Sequence, residues 1–165
     1  MICLNVIINE INSNEIFQAF IMMKKCFFKT FLIYLDNISP VLETYSHFKR
    51  NFLKKNVTCY WIVHNERRVG IIITKISDTY LQITDLAVLK KYQNSGVGKA
   101  ALKEILNKCG DFSDIRLFTI KQDERNCHFY ESAGFVRVGE EIRINSRMTL
   151  IEYIISMRRL KCMKY

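Results

Sequence analysis

Residues 86–99 read Leu-Ala-Val-Leu-Lys-Lys-Tyr-Gln-Asn-Ser-Gly-Val-Gly-Lys. The apolar beginning is typical of a strand and the polar middle of a short loop, and two glycines one residue apart precede a run with helical spacing. Such a loop directs several main-chain N–H groups toward one point in front of a helix N-terminus, where the helix dipole is positive. The stretch therefore predicts an anion site, and phosphate is the usual occupant of such sites.

Two common phosphate motifs do not explain this loop. A P-loop requires glycine where the chain has Gln93, and Ser or Thr after Lys99, where the chain has Ala100. A dinucleotide-binding fingerprint places its glycines directly after the strand, whereas residues 89–95 come between the strand and Gly96. A lone glycine pair is also compatible with a simple turn that caps a helix, so other segments must decide.

Composition is that of one folded domain. The chain has 165 residues, 49% of them hydrophobic, and it contains no repeat and no linker-like stretch, so we expect a single domain over residues 1–165. The 6 cysteines lie far apart without a CxxC pair, and the 3 histidines have no metal-ligand spacing. We therefore expect free thiols in a reducing cytoplasm, no targeting segment and no metal site.

The net charge of +9 favours an anionic ligand. Arg158, Arg159, Lys161 and Lys164 crowd the C-terminus, but no groove-reading motif or aromatic stacking signature accompanies them, so nucleic acid is the less favoured partner. The apolar region 16–35 is interrupted by three lysines and is too short between them to cross a bilayer, so no membrane association is expected.

The apolar pattern predicts the element order βααβββαβαββ, which indicates a mixed sheet with helices on its faces. Ser39-Pro40 is a helix-start signal, and Gly110 and Gly134 are helix-stop signals. The predicted strands are 2–9, 58–64, 68–76, 80–88, 115–120, 135–138 and 148–157, and the predicted helices are 14–28, 39–54, 97–109 and 124–133.

A second segment lies further along the chain and reads Asn126-Cys-His-Phe-Tyr130-Glu-Ser-Ala-Gly134-Phe135. The two segments together resemble the motifs of the GCN5-related N-acetyltransferase (GNAT) family. The first family motif is V-x-P-x-[YF]-[QR]-x-x-G-x-[GA], and the chain differs from it at Lys90, where proline is usual. The second family motif is N-x-x-[AS]-x-x-[FL]-Y-x-x-x-G-F, and the chain matches its later part. Matches to the first motif are Val88, Tyr92, Gln93, Gly96 and Gly98.

The resemblance implies a mixed α/β fold with a mostly antiparallel sheet of six to seven strands and about four helices. It implies acetyl-CoA, or another acyl-CoA, as the acyl donor, and a homodimer as the expected assembly. Main-chain groups of Leu86, Ala87 and Val88 are then expected to pair with the pantetheine arm. The main-chain amides expected to surround the pyrophosphate are those of Gln93, Asn94, Ser95, Gly96, Val97, Gly98 and Lys99.

Acyl transfer from a thioester to an amine needs a base, an oxyanion donor and an acid for the leaving thiolate. The resemblance places Tyr130 beside the CoA sulfur as the acid, and Asn126, one helical turn earlier, against the cofactor. The expected oxyanion donor is a main-chain N–H near Ala87 or Val88, where the family commonly has a bulge. Asp85 is the candidate base; a charged residue near a strand end is its alternative interpretation, and a water chain could serve instead.

The leading hypothesis is an N-acetyltransferase that transfers the acyl group directly to a primary amine within a ternary complex. Its acceptor is unknown. The cationic chain is a poor match for polyamines or aminoglycosides, and an anionic metabolite, an acidic peptide or an amine linked to nucleic acid fits the charge better. Residues 16–56 and 140–147 are expected to shape the acceptor pocket. Two alternatives are a GNAT toxin that acetylates aminoacyl-tRNA and a CoA-binding regulatory module without catalysis.

Overall fold

The computed structural model describes residues 5–109 and 112–156. Seven strands form one sheet in the order β1-β2-β3-β4-β5-β7-β6. The strands are β1 Val6–Glu10, β2 Val57–His64, β3 Arg67–Ile76, β4 Tyr80–Val88, β5 Asp114–Ile120, β6 Val136–Arg143 and β7 Thr149–Ser156. The helices are α1 Ile16–Tyr34, α2 Tyr45–Phe52, α3 Val97–Lys108 and α4 Glu124–Ser132. The predicted fold class and element order are confirmed.

Helices cover both faces of the sheet. On one face, α1 and α2 bury Ala19, Met23 and Phe48 against side chains of β2 and β3. On the other face, the buried side of α3 packs with the Tyr130 side chain of α4 on a second apolar cluster. Each cluster removes large side chains from water, and each fully buried one stabilises the fold by about 1.5–3 kcal/mol. The sheet is therefore held firmly between two helical layers.

The sheet opens in its middle. All neighbouring strands are antiparallel except β4 and β5, which pair in parallel only from Tyr80–Ile83 with Asp114–Leu117. Beyond Ile83, β4 pairs only with β3, and beyond Leu117, β5 pairs only with β7. The two strands therefore separate toward their C-terminal ends and leave a gap in the sheet between them.

A bulge in β4 determines which side chains face which helices. Ile73 pairs with Asp85 and Thr74 with Ile83, so Thr84 is the extra residue. The bulge thus lies at Thr84 and not at Ala87 or Val88, where the family resemblance led us to expect it. Because side chains alternate along a strand, it turns Asp85 toward the α1 and α2 face, the side of its partner Ile73.

Helix boundaries differ from the sequence predictions in two places. Helix α1 continues to Tyr34 instead of ending near Phe28, and it ends where Leu35 takes a left-handed conformation with φ 46°. Helix α2 begins at Tyr45, capped by Thr44, so the predicted start at Ser39-Pro40 is wrong.

The region before α2 forms turns that are tied to α1. Lys24 on α1 donates hydrogen bonds to the main-chain carbonyls of Val41 and Glu43, the latter at 2.8 Å. Residues 41 and 43 are thus joined to α1 in the segment where the helix was predicted. The predicted helix stop at Gly110, the basic C-terminal cluster, and the outer ends of the predicted first and last strands lie outside the described residues.

Candidate functional site

A cavity of about 640 Å³ opens where β4 and β5 part. Its walls come from the second half of α1, the end of β4, the loop before α3 and the start of α4. The predicted site residues among its lining are Leu86, Ala87, Val88, Gln93, Asn94, Gly96, Gly98, Lys99, Asn126 and Tyr130. The structure therefore brings together nearly all the residues that the sequence singled out.

Three predicted residues do not line the cavity. The Ser95 hydroxyl donates to the carbonyl of Tyr92 at 2.7 Å, and the Val97 side chain is fully buried in the core. Asp85 lies one residue before the lining segment of β4. For Val97 only main-chain groups remain available to a ligand, which is the kind of contact that the resemblance led us to expect.

The loop before α3 is held in an unusual backbone conformation. Gly96 has φ 84° and Asn94 has φ 60°, both in the left-handed region. Glycine adopts this region without the clash that a Cβ would cause. The Gln93 side chain holds the start of the loop by donating from Nε2 to the carbonyl of Val88 at 2.8 Å. Gly96 thus allows the chain to turn directly into α3 and leaves the first N–H groups of that helix at the cavity.

Gly98 is less constrained than Gly96. It lies in the first turn of α3, and a Cβ built there would be 3.7 Å from the Phe129 ring, an ordinary contact. The protein itself therefore has room for a Cβ at Gly98, and a requirement for glycine over alanine there would come from a ligand.

Arg125 is a site residue that the sequence predictions did not include. Its guanidinium donates to Oε1 of Gln93 at 3.0 Å and approaches Oδ1 of Asn94 at 3.4 Å. These bonds connect the start of α4 with the loop across the cavity opening and place a permanent positive charge there. A basic residue next to the second motif was the only sequence signal that could have drawn attention to it.

The unpaired edge of β4 offers main-chain groups to the cavity. A Cβ at Gly70 of β3 would lie 2.2 Å from the carbonyl oxygen of Ala87, so that carbonyl faces β3. Main-chain groups alternate in direction along a strand, and those of Leu86 and Val88 therefore face the gap. The carbonyl of Val88 already accepts from Gln93, so the main-chain groups of Leu86 and the N–H of Val88 are left to face the gap.

Tyr130 is buried at the inner end of the cavity. Tyr130 is 8% exposed, and its ring contacts the rings of Phe129, Phe135 and Tyr153. Burial, reinforced by the negative charges of Asp85 and Asp123, raises the pKa of the Tyr130 phenol above its usual value. The phenol therefore keeps its proton at neutral pH and can donate a hydrogen bond.

Asp85 is electrostatically coupled to the same site. Burial is the main cause that raises the pKa of its carboxyl to about 6; a hydrogen bond from Thr84 opposes the shift and the charge of Glu43 adds to it. A carboxyl with a pKa near 6 is mostly ionised at neutral pH and still basic enough to accept a proton.

The thiols near the cavity are poor nucleophiles. Cys26 lines the cavity, and burial raises its pKa to about 12. Burial also raises the pKa of Cys127, whose sulfur lies 3.7 Å from the carbonyl of Ile120. Because the thiolate is the reactive form, neither side chain is prepared to carry an acyl group.

The second half of α1, residues Lys25–Tyr34, forms the wall that we call the α1 wall. Buried residues Ile16, Ala19, Phe20 and Met23 mark the side of α1 that faces the sheet. Continued at helical spacing, that side reaches Phe27, Thr30 and Tyr34, which line the cavity. The α1 wall therefore lies above the gap in the sheet.

The hairpin between β6 and β7 supports the end of the α1 wall. The Asn145 side chain donates from Nδ2 to the carbonyls of Tyr34 and Leu35, each at 3.2 Å. These carbonyls belong to the C-terminal turn of α1, which has no further helical partners. The two segments expected to shape the acceptor pocket are thus joined directly.

None of the helices in the described parts of the chain is long and apolar enough to span a membrane. Within residues 5–109 and 112–156, no cluster of three or more His, Cys, Asp or Glu side chains is placed to hold a metal ion.

Comparison with known proteins agrees with this geometry. The model of the acetyltransferase (GNAT) family matches residues 21–135. The chain belongs to the GNAT acetyltransferase family. This GNAT protein is accordingly an acyltransferase of a family that uses acetyl-CoA.

Solved structures show the same fold at low sequence identity. The ribosomal-protein-S18-alanine N-acetyltransferase from Escherichia coli has a TM-score of 0.72 and 15% identity, covering 92% of this chain and 94% of that one. The spermidine N-acetyltransferase from Vibrio cholerae, in complex with CoA and spermine, has a TM-score of 0.74 and 14% identity, covering 93% and 96%. An acetyltransferase from Thermus thermophilus has a TM-score of 0.73 and 13% identity, covering 94% and 99%.

Proposed function

We propose that this GNAT acetyltransferase transfers the acetyl group of acetyl-CoA directly to a primary amine, with Tyr130 as general acid and Asp85 as general base. One observation carries the proposal: the anion-binding loop, the unpaired edge of β4 and the buried Tyr130 side chain all line one cavity. A diphosphate at the loop and a thioester near Tyr130 would satisfy all three features together.

The residues present fit a CoA thioester. The N–H groups at the start of α3 and the positive charges of Lys99 and Arg125 suit the phosphates. The free main-chain groups of Leu86 suit the amides of the pantetheine arm, in the way an added strand would pair. Asn126 contributes an amide to the same wall. Acetyl-CoA supplies the acetyl group as a thioester.

Side chains of the protein then carry out two proton transfers. Asp85 accepts one proton from the acceptor ammonium, directly or through a water molecule, and leaves a free amine. The amine nitrogen forms the C–N bond as the C–S bond breaks, and Tyr130 donates its phenolic proton to the departing thiolate. The new amide nitrogen loses its second proton, which restores Tyr130, so one proton is released overall.

Direct transfer is favoured over a covalent acyl-enzyme by the state of the thiols. A cysteine nucleophile would need a lowered pKa, whereas burial raises the pKa of both Cys26 and Cys127. We further propose that residues 1–165 form one acetyltransferase domain, that it works in the cytoplasm and that it forms a homodimer.

The similar structures include enzymes for a polyamine and for an alanine of a ribosomal protein. Both acceptors are amines, which supports an amine acceptor here. Their identity to this chain is 15% or lower, so they do not specify which amine.

The test measures thiol release from acetyl-CoA with a panel of amines. Tyr130→Phe is expected to lower kcat about 100-fold, because general acid catalysis is worth about this much, while Kd for CoA stays unchanged. Tyr153→Phe is the matched control: it removes a hydroxyl from the same ring cluster, but one that donates to Glu131 at 2.7 Å.

Two results would contradict the proposal. An unchanged kcat in Tyr130→Phe would remove this residue as the acid. Tight CoA binding by the native protein without thiol release to any amine would instead support the non-catalytic CoA-binding module.

A further inference from the structure

The α1 wall contains no acidic side chain. Residues 16–35 include three lysines and several aromatic residues but no Asp or Glu. The nearest carboxylates that follow are engaged elsewhere: that of Asp36 accepts from the main chain of Ile38 at 2.9 Å, and that of Glu43 lies 2.6 Å from the His47 ring. A polycationic acceptor would therefore find no ionic partner on this wall.

The charges on the described cavity lining are mostly positive. Lys90, Lys99 and Arg125 lie at the loop and at the start of α4, whereas Lys25 and Lys29 lie on the α1 wall, across the sheet from them. The acidic lining residues are Asp123 and Glu124, and Asp123 caps α4 by accepting from the main chain of Asn126 at 3.1 Å. If the loop cations serve the CoA phosphates, the lysines of the α1 wall remain for the acceptor.

Apolar side chains line the cavity together with these lysines. Phe27, Phe28 and Ile33 line the cavity beside Lys25 and Lys29, so an acceptor on this wall would contact rings and an aliphatic side chain with ammonium groups next to them.

We propose that the acceptor is a primary amine joined through an aromatic or aliphatic body to a carboxylate, and that Lys25 and Lys29 recognise the carboxylate. This inference rests on the proposed function and specifies its acceptor. The body packs on the apolar part of the α1 wall and the amine points toward the gap in the sheet. The lysines also disfavour the ammonium form of the acceptor, since like charges destabilise each other, and this assists the proton transfer to Asp85.

The decisive experiment compares para-aminomethylbenzoate with its carboxamide. The two molecules hold the amine in the same place on the same ring and differ in the charge at the far end. With acetyl-CoA at saturation, kcat/KM is expected to be about fivefold higher for the carboxylate, the size of a partly exposed ion pair. Spermidine is expected to be the poorest acceptor of the set.

The double substitution Lys25→Gln with Lys29→Gln is expected to bring that ratio close to one. Lys103→Gln is the matched control, because Lys103 is an exposed lysine of α3 outside the cavity lining. Kd for CoA, measured by calorimetry, is expected to be the same in the double variant and in the native chain.

Three outcomes would overturn the inference: equal or reversed preference in the native chain, a preference for spermidine, or a ratio that survives the double substitution. Weaker CoA binding in the double variant, with the preference intact, would assign both lysines to the phosphates. Failure of the proposed function is distinguishable, since it would show as absence of CoA binding or of thiol release with every amine.

Discussion

The loop before α3 and the α1 wall form opposite sides of one cavity, but different forces hold them in place. The loop is fixed by local features: the left-handed Gly96, the Gln93 bond to the carbonyl of Val88, and the helix that follows. The α1 wall is fixed by distant features: the first half of α1 packed on the sheet, and Asn145 bound to its last turn. The loop can therefore be recognised in a short stretch of sequence, whereas the α1 wall depends on elements that are distant in the chain.

The comparison predicts that the largest loss follows from substitution of Gly96. Gly96→Val places a branched side chain at φ 84°, a strain of about 1–3 kcal/mol, and obstructs the approach of the phosphates. We expect Kd for CoA to rise by about a factor of 1000, because the lost main-chain contacts to the phosphates amount to about 4 kcal/mol. The strain itself is expected to lower the melting temperature.

Gly139→Val separates strain from binding. Gly139 also has a left-handed φ, 68°, but lies on the hairpin away from the loop. Gly139→Val should lower the melting temperature as Gly96→Val does, but the affinity for CoA should be retained. An equal loss of CoA affinity in both variants would contradict the role of the loop.

Asp85→Asn tests the candidate base, which lies one residue before the lining segment of β4. The plot of kcat/KM against pH is expected to fall below pH 6 in the native enzyme, as the Asp85 carboxyl with its pKa of about 6 becomes protonated. In the variant, kcat/KM should be about 100-fold lower and should no longer depend on pH in this range. An acid limb that persists in Asp85→Asn would assign the base to another group.

The same substitution has a predictable effect on stability. The pKa of the Asp85 carboxyl is raised in the folded protein, so the native state must carry a buried charge above about pH 6, and its stability falls as pH rises toward that value. Asp85→Asn should therefore stabilise the fold by about 1–2 kcal/mol near pH 8 and have little effect near pH 3. Urea denaturation at the two pH values measures this difference.

Arg125→Ala tests the bridge across the cavity opening. We expect Kd for CoA to rise about tenfold, from the loss of one charged phosphate partner and of the bonds to Gln93 and Asn94. Binding of pantetheine, which lacks the phosphates, should change much less. Arg137→Ala serves as control, because Arg137 pairs with Glu141 on the exposed hairpin; a parallel loss for pantetheine would make Arg125 a purely structural residue.

The smallest effect is expected at the support of the α1 wall. Asn145→Ala removes hydrogen bonds worth about 1 kcal/mol, so KM for the acceptor should rise about threefold with Kd for CoA unchanged. Asn56→Ala removes a comparable bond, from its side chain to the carbonyl of Ile76 at 3.1 Å, at another place in the fold. A similar change in acceptor KM in both variants would show that the effect is general destabilisation.

Several sequence predictions were wrong or incomplete. Ser39-Pro40 carries a valid helix-start signal, but Lys24 binds the carbonyls of Val41 and Glu43, and the helix begins at Tyr45 instead. The two loop glycines look equivalent in the sequence, although only Gly96 has a left-handed backbone, while a Cβ at Gly98 would make ordinary contact. Arg125 was missed because its partners lie in another segment of the chain.

The sequence by itself determined the strand and helix order and the glycine turn before α3, because these depend on periodicity and glycine placement within short segments. The resemblance to the family motifs pointed to Tyr130, which lines the cavity. Only the tertiary structure decided the side of the sheet that Asp85 faces, since a single extra residue at Thr84 reverses the alternation beyond it. It also decided the composition of the α1 wall, because strand pairing between β4 and β5 ends at Ile83 and Leu117 and leaves the second half of α1 above a gap.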